Sequence, residues 1–251
     1  MDRPIIFSAP MVRALLDGRK TQTRRLLKPR PYVVQEKDGI RWWNLAGRPG
    51  GMIVMGDDAL LRAHRQPAPG DRLWVREAHH RSDDDGTPLI GYDFADDPTF
   101  GPDRIEQRPG IGPVHLFRRS LGGWGGRTSR NFPSIHMPRW ASRLTLTVTA
   151  VRVERLQEIS EADARAEGMT GIRYQDCDGD PRLDGRIYID TAWHADPSAL
   201  RTEGDVASGA PNARFAFRNL WDTLHGPGAW DANPEVVVLT FTVRKGNIDH
   251  A

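Results

Sequence analysis

Lysine is scarce in this chain. Of 35 basic residues only Lys20, Lys28, Lys37 and Lys245 are lysine; the others are arginine. Lys20 stands within Gly18-Arg19-Lys20-Thr21-Gln22-Thr23-Arg24-Arg25, with a hydroxyl three residues on at Thr23. An amine beside a hydroxyl can assist nucleophilic attack if the amine is at least partly deprotonated. That needs a pKa below the ordinary lysine value of about 10.4, which burial or the crowded arginines would supply. Taken by itself, the segment is better described as a solvated Lys/Arg loop.

Other chemistries are poorly served. One cysteine, Cys177, and eight scattered histidines give no closed zinc spacing, and the adjacent His79 and His80 would point apart on a strand. Asp176-Cys177-Asp178-Gly179-Asp180 resembles the start of a calcium loop. It fails where Pro181 replaces the required glycine and Ile187 the closing glutamate. Gly18-Arg19-Lys20-Thr21 lacks the glycine spacing of a phosphate-binding loop. Gly122-Gly123-Trp124-Gly125-Gly126 lacks that of a dinucleotide loop and reads as a hinge. No Gly-x-Ser-x-Gly elbow is present. No metal or cofactor is expected.

The net charge is only +2, but the charges are unevenly placed. Between Gln107 and Val153 there is no acidic residue, and the stretch holds Arg108, Arg118, Arg119, Arg127, Arg130, Arg139, Arg143 and Arg152 with Trp124, Phe132 and Trp140 among them. Such a mixture suits single-stranded nucleic acid, and it equally suits a solvated basic face. The absence of an apolar run of roughly 18 residues argues against a membrane helix. With a single cysteine and no secretory pattern at MDRPIIFSAP, a cytoplasmic location is expected.

The elements that would position these groups follow from pattern. Ile5 to Phe7 reads as a strand. Pro10 opens a helix with Val12, Leu15 and Leu16 on one side, ended by Gly18. Residues 29–70 read mostly as loop, with Trp42-Trp43 as a candidate hairpin strand. PGDRLWVRE (69–77) is a turn and a strand, and RLTLTVTAVRV (143–153) is the clearest strand. Ser160-Glu161-Ala162-Asp163 opens a short helix closed by Gly168. Ala213 to Leu224 is an amphipathic helix with Phe217, Leu220, Trp221 and Leu224 on its apolar side, and Val236 to Val243 is a last strand. Residues 82–112 and 170–211 read as surface loops and 121–131 as flexible. Short strands with long connections predict an α+β fold, a small mixed barrel with peripheral helices, in one domain (1–251) with loop insertions at 29–68, 82–131 and 170–211.

Gly18-x-Lys20-x-x-x-x-Arg25 resembles the GxKxxxxR signature of ASCH domains, which are PUA-like. GRKTQTRR is similar to the corresponding segment of small bacterial amidohydrolases that deacetylate N(4)-acetylcytidine. That resemblance implies catalytic roles for Lys20 and Thr23. Asp163-Ala164-Arg165-Ala166-Glu167-Gly168-Met169 resembles the element carrying those enzymes' glutamate, which implies Glu167. PGDRLWVRE, PSIHMPRWASR (133–143), VERLQEIS (153–160) and LWD…GPGAWDANP (220–234) resemble longer phage- and prophage-associated ASCH proteins. Arg24 stands where the short enzymes have an apolar residue.

The reaction implied is hydrolysis of an acyl group from the exocyclic amine of an acylated cytidine. Thr23 would be the nucleophile or position water, Lys20 would be base or oxyanion stabiliser, and Glu167 would shuttle a proton. Arg25 is either an ion-pair partner or a catalytic group. Arg76, Glu77 and Arg139 either line the pocket or form structural salt bridges. The rival is an RNA- or DNA-binding module, or a ribonuclease, using the same basic cleft. The partner is thus a modified nucleoside or a single-stranded nucleic acid, with the oligomeric state open.

Overall fold

A computed structural model describes residues 1–45, 50–82, 89–92, 104–108, 112–118, 130–176, 188–196 and 210–250. The fold is mixed α+β and divides into two compact units. The first comprises Met1–Gly18, Ala68–Thr149 and Phe241–Ala251, and the second Arg19–Pro67 and Ala150–Thr240. The ladders of the described residues trace no closed barrel.

In the first unit β1 (Asp2–Ile6) runs parallel to β6 (Arg72–Arg76), with Ile5 opposite Val75. The start of β12 (Leu144–Arg155) is antiparallel to β6, with Leu146 opposite Leu73. Period-two alternation buries Leu144, Leu146 and Val148. Helix α1 (Ala9–Leu16) carries Pro10 in its first turn and buries Val12, Leu15 and Leu16. Gly18 follows at φ 73°, a conformation that a side chain would strain. A second sheet joins β7 (His79–Ser82), β8 (Leu89–Tyr92), β9 (Arg104–Arg108), β10 (Gly112–Arg118) and β11 (Arg130–Phe132) in the order β11-β7-β8-β10-β9. The loop expected at 82–112 therefore contains strands.

In the second unit β2 (Gln22–Leu26) pairs antiparallel with the start of β15 (Glu235–Lys245), and Thr23 lies opposite Leu239. The run Val236–Leu239 is wholly buried. Residues 29–70, expected to be mostly loop, instead form an antiparallel sheet of β3 (Tyr32–Lys37), β4 (Ile40–Asn44) and β5 (Ile53–Met55), followed by α2 (Asp57–Ala63). The missed signal was Asp38-Gly39. Both take positive φ, 53° and 73°, as a two-residue type I′ hairpin turn demands. Thr170–Asp176 (β13) and Tyr188–His194 (β14) pair antiparallel where irregular chain was expected. Helix α3 (Glu161–Ala166) has the expected Ser160/Asp163 capping box. Helix α4 (Ala213–His225) buries Phe217 and Trp221, whereas Leu224 in its last turn is exposed rather than part of the apolar side. Among the described residues no helix is long and apolar enough to cross a membrane.

Candidate functional site

The second unit holds a buried cluster of charges built on four elements. Arg19 and Thr21, on either side of Lys20, tie the segment before β2 to the end of α3. The Arg19 guanidinium donates to the Gly168 carbonyl at 2.7 Å, and the Thr21 amide donates to the Ala166 carbonyl at 2.8 Å. Glu167 caps the C-terminus of α3. The two anchors bring Lys20 onto Glu167 across 147 residues of sequence. Lys20 Nζ donates to Glu167 Oε2 at 2.7 Å and to its backbone carbonyl at 2.8 Å. Both side chains are buried, with 1% and 4% exposed.

Arg24 completes the cluster from β2. Its Nη1 donates to Glu167 Oε1 at 3.1 Å, and its Nε to Glu154 Oε1 at 2.8 Å. Its Nη2 lies 3.4 Å from Asp163 Oδ2. Arg152, beside Glu154 on β12, donates to Glu154 Oε2 at 2.8 Å and to Asp163 Oδ1 at 3.4 Å. Lys20, Arg24 and Arg152 thus face Glu154, Asp163 and Glu167. Pairing with the three carboxylates offsets much of the cost of burying these cations, although Arg24 Nη2 is held by ion-pair contact alone, without a hydrogen bond. Removing one partner alone would strand a buried charge, at about 3–5 kcal/mol.

Burial pushes the Lys20 amine below its ordinary value. The Glu167 carboxylate opposes that shift, and the charges of Arg25 and Arg24 add to it. The site therefore offers an amine that yields its proton more readily than a free lysine, directly against the Glu167 carboxylate.

The other predicted residues are placed as follows. Thr23 is buried on β2. Strand alternation sends Thr23 and Arg25 to one face of β2 and Gln22 and Arg24 to the other. The arrangement so joins Lys20 to Glu167 by direct contact and sets Thr23 on the face of β2 away from Arg24. Arg25 is exposed. Arg76, Glu77 and Arg139 belong to the other unit, and each is engaged there. Glu77 holds Arg143 through both carboxylate oxygens, at 2.9 and 3.0 Å. Arg139 pairs with Asp2 at 2.7 Å and Asp249 at 2.6 Å. Arg76 donates to the Ile135 carbonyl and lies over the Trp74 ring, 4.5 Å from its centroid. Arg119, Trp124, Arg127 and Asp178–Pro181 lie outside the described residues.

Sequence reasoning missed the part played by Arg24. A single arginine is inconspicuous in an arginine-rich chain. The available signal was the group of acids at 154, 163 and 167, which needed a buried cation between them. Comparison with known proteins finds no match: no family model, no curated protein and no solved structure is similar to this chain.

Proposed function

We propose that the chain is an ASCH-type, PUA-like hydrolase that removes an acyl group from the exocyclic amine of an acylated cytidine or related nucleoside. The reading is carried by one observation, the buried 2.7 Å contact between Lys20 and Glu167 with the amine held below its ordinary pKa. The PUA-like barrel belongs to the same proposal, with β12 and β15 as its long strands. A deprotonated Lys20 accepts the proton of the attacking hydroxyl, from Thr23 or from water. The tetrahedral intermediate collapses as Glu167 receives that proton from Lys20 and passes it to the leaving cytosine amine, which restores the neutral Lys20 amine. If Thr23 is the nucleophile, water then hydrolyses the acyl-threonine and releases the carboxylic acid.

The test is turnover of N(4)-acetylcytidine by the purified chain, read as cytidine and acetate. Lys20→Ala and Glu167→Gln are each expected to lose at least about 100-fold in kcat/KM, and the double variant little more, because residues acting as a unit are not additive. Lys20→Arg should fail to rescue, since a guanidinium does not deprotonate near neutral pH. Absence of turnover in the wild type with several acylated cytidines would discard the reading. The second reading, a nucleic-acid-binding module, is favoured by exposed Arg25, Lys28 and Arg30, whose charges act together on His225. It requires polymer affinity that falls steeply with salt.

A further inference from the structure

The β3-β4-β5 sheet has two unlike faces. Trp43 on β4 is fully buried, and its indole donates to Asp57 of α2 at 3.0 Å. Arg41, two residues earlier and on the same face, pairs with Asp57 and lies over the Trp43 ring at 4.8 Å. On the other face Asn44 is buried, but among the described residues the part around Ile40 and Trp42 is exposed. Ile40 and Trp42 alternate with Arg41 and Trp43, and the register sets Met55 beside Trp42, with Tyr32 and Ile53 flanking Asn44. Val34 at the β3 bulge and Met52 ahead of β5 extend the margin. Among the described residues twelve large apolar side chains are exposed, and these seven all fall within residues 32–55, at 37% to 64% exposure. Chance scatter of surface apolar residues does not concentrate them in this way.

We propose that this face is the interface between two copies of the chain, packed sheet against sheet about a two-fold axis. Area is the first argument. The seven side chains present roughly 600 Å² of apolar surface, and a stable interface takes about 800 Å² from each partner, leaving the remainder to a polar rim. Gln35, opposite Trp42, and Lys37, opposite Ile40, supply such a rim. Charge is the second argument. Arg41 is turned away and held by Asp57, which leaves Lys37 at the margin as the cation the strands add to this face. A net charge of +2 sets up little repulsion between copies. An apolar face is also complementary to itself, as a two-fold contact requires. Edge-to-edge pairing is discouraged by the bulge and by Glu36 and Lys37 on β3, so the contact is made through the faces.

Sedimentation velocity and light scattering of the full chain across the micromolar range test this. The wild type is expected at twice its 28.2 kDa chain mass, dissociating on dilution. Trp42→Thr combined with Met55→Lys should give the monomer mass at every concentration, with an unchanged far-ultraviolet circular dichroism spectrum. Trp42→Phe provides a readout that keeps the apolar face. The wild type's emission should shift to the blue as concentration rises, and this variant should lose most of that shift. A wild type that stays at 28.2 kDa throughout overturns the proposal, and so does a folded double variant that remains dimeric. A monomeric wild type that floats with neutral phosphatidylcholine vesicles assigns the face to a lipid surface and overturns it equally.

Discussion

At Lys20 two effects oppose one another. Burial favours the neutral amine, the Glu167 carboxylate favours the ammonium, and burial is the larger. The folded state therefore holds this proton less tightly than the unfolded chain, whose lysine titrates near 10.5. Between the depressed value and 10.5 the unfolded state binds more protons, so raising the pH across that window favours folding. Below the window both states are protonated and the full cost of burying the ammonium is felt. Lys20→Met keeps the length of the chain without the titration. Urea unfolding at stepped alkaline pH is expected to show wild-type stability gaining on Lys20→Met as pH rises towards 10.5. A difference that does not change with pH would mean that Lys20 keeps an ordinary proton affinity. Lys20 was legible through the resemblance carried by Gly18-x-Lys20-x-x-x-x-Arg25, whereas its surroundings alone read as a solvated loop, which its burial corrects. Arg24 was not, since its importance comes from which acids surround it rather than from its type.

At the scale of elements, the short helix α3 decides where Glu167 stands. It has six residues, so its N-terminal cap is a large part of its stability. Ser160 Oγ accepts from the Asp163 amide at 3.0 Å, and the Asp163 carboxylate reaches back to Ser160. Ser160→Ala should cost about 1 kcal/mol, read as a lower urea midpoint with unchanged slope. An unchanged midpoint would show that tertiary contacts alone hold the helix. The α3 cap, the α1 proline and the burial of Phe217 and Trp221 on α4 could be read in advance from local spacing, whereas Leu224 at the same spacing is exposed. The β3-β4-β5 sheet was announced only by its Asp38-Gly39 turn and not by its strands. Apolar side chains point from both of its faces, so Tyr32–Lys37 and Ile40–Asn44 lack the clean alternation that marks a half-buried strand.

At the scale of the molecule, β12 and β15 each run from one compact unit into the other, crossing between Thr149 and Ala150 and between Thr240 and Phe241. Fraying of either strand removes ladder partners from both units, so the two are expected to unfold together. Trp74 in the first unit and Trp43, Trp221 and Trp230 in the second are buried reporters. Their emission and the far-ultraviolet circular dichroism should trace coincident thermal transitions. Separated transitions would show that each unit is stable without the other. The same threading bears on how the protein is made. The second unit encloses Ala68–Thr149 within its own sequence, and the first needs Phe241–Ala251 to complete its share of β15. On the ribosome neither unit can close while its partner strands are still untranslated. The apolar run Val236–Leu239 emerges late, to find β2 already waiting since early in synthesis. During that interval β2 lacks its β15 ladder, and an unpaired strand of this kind is exposed to aggregation.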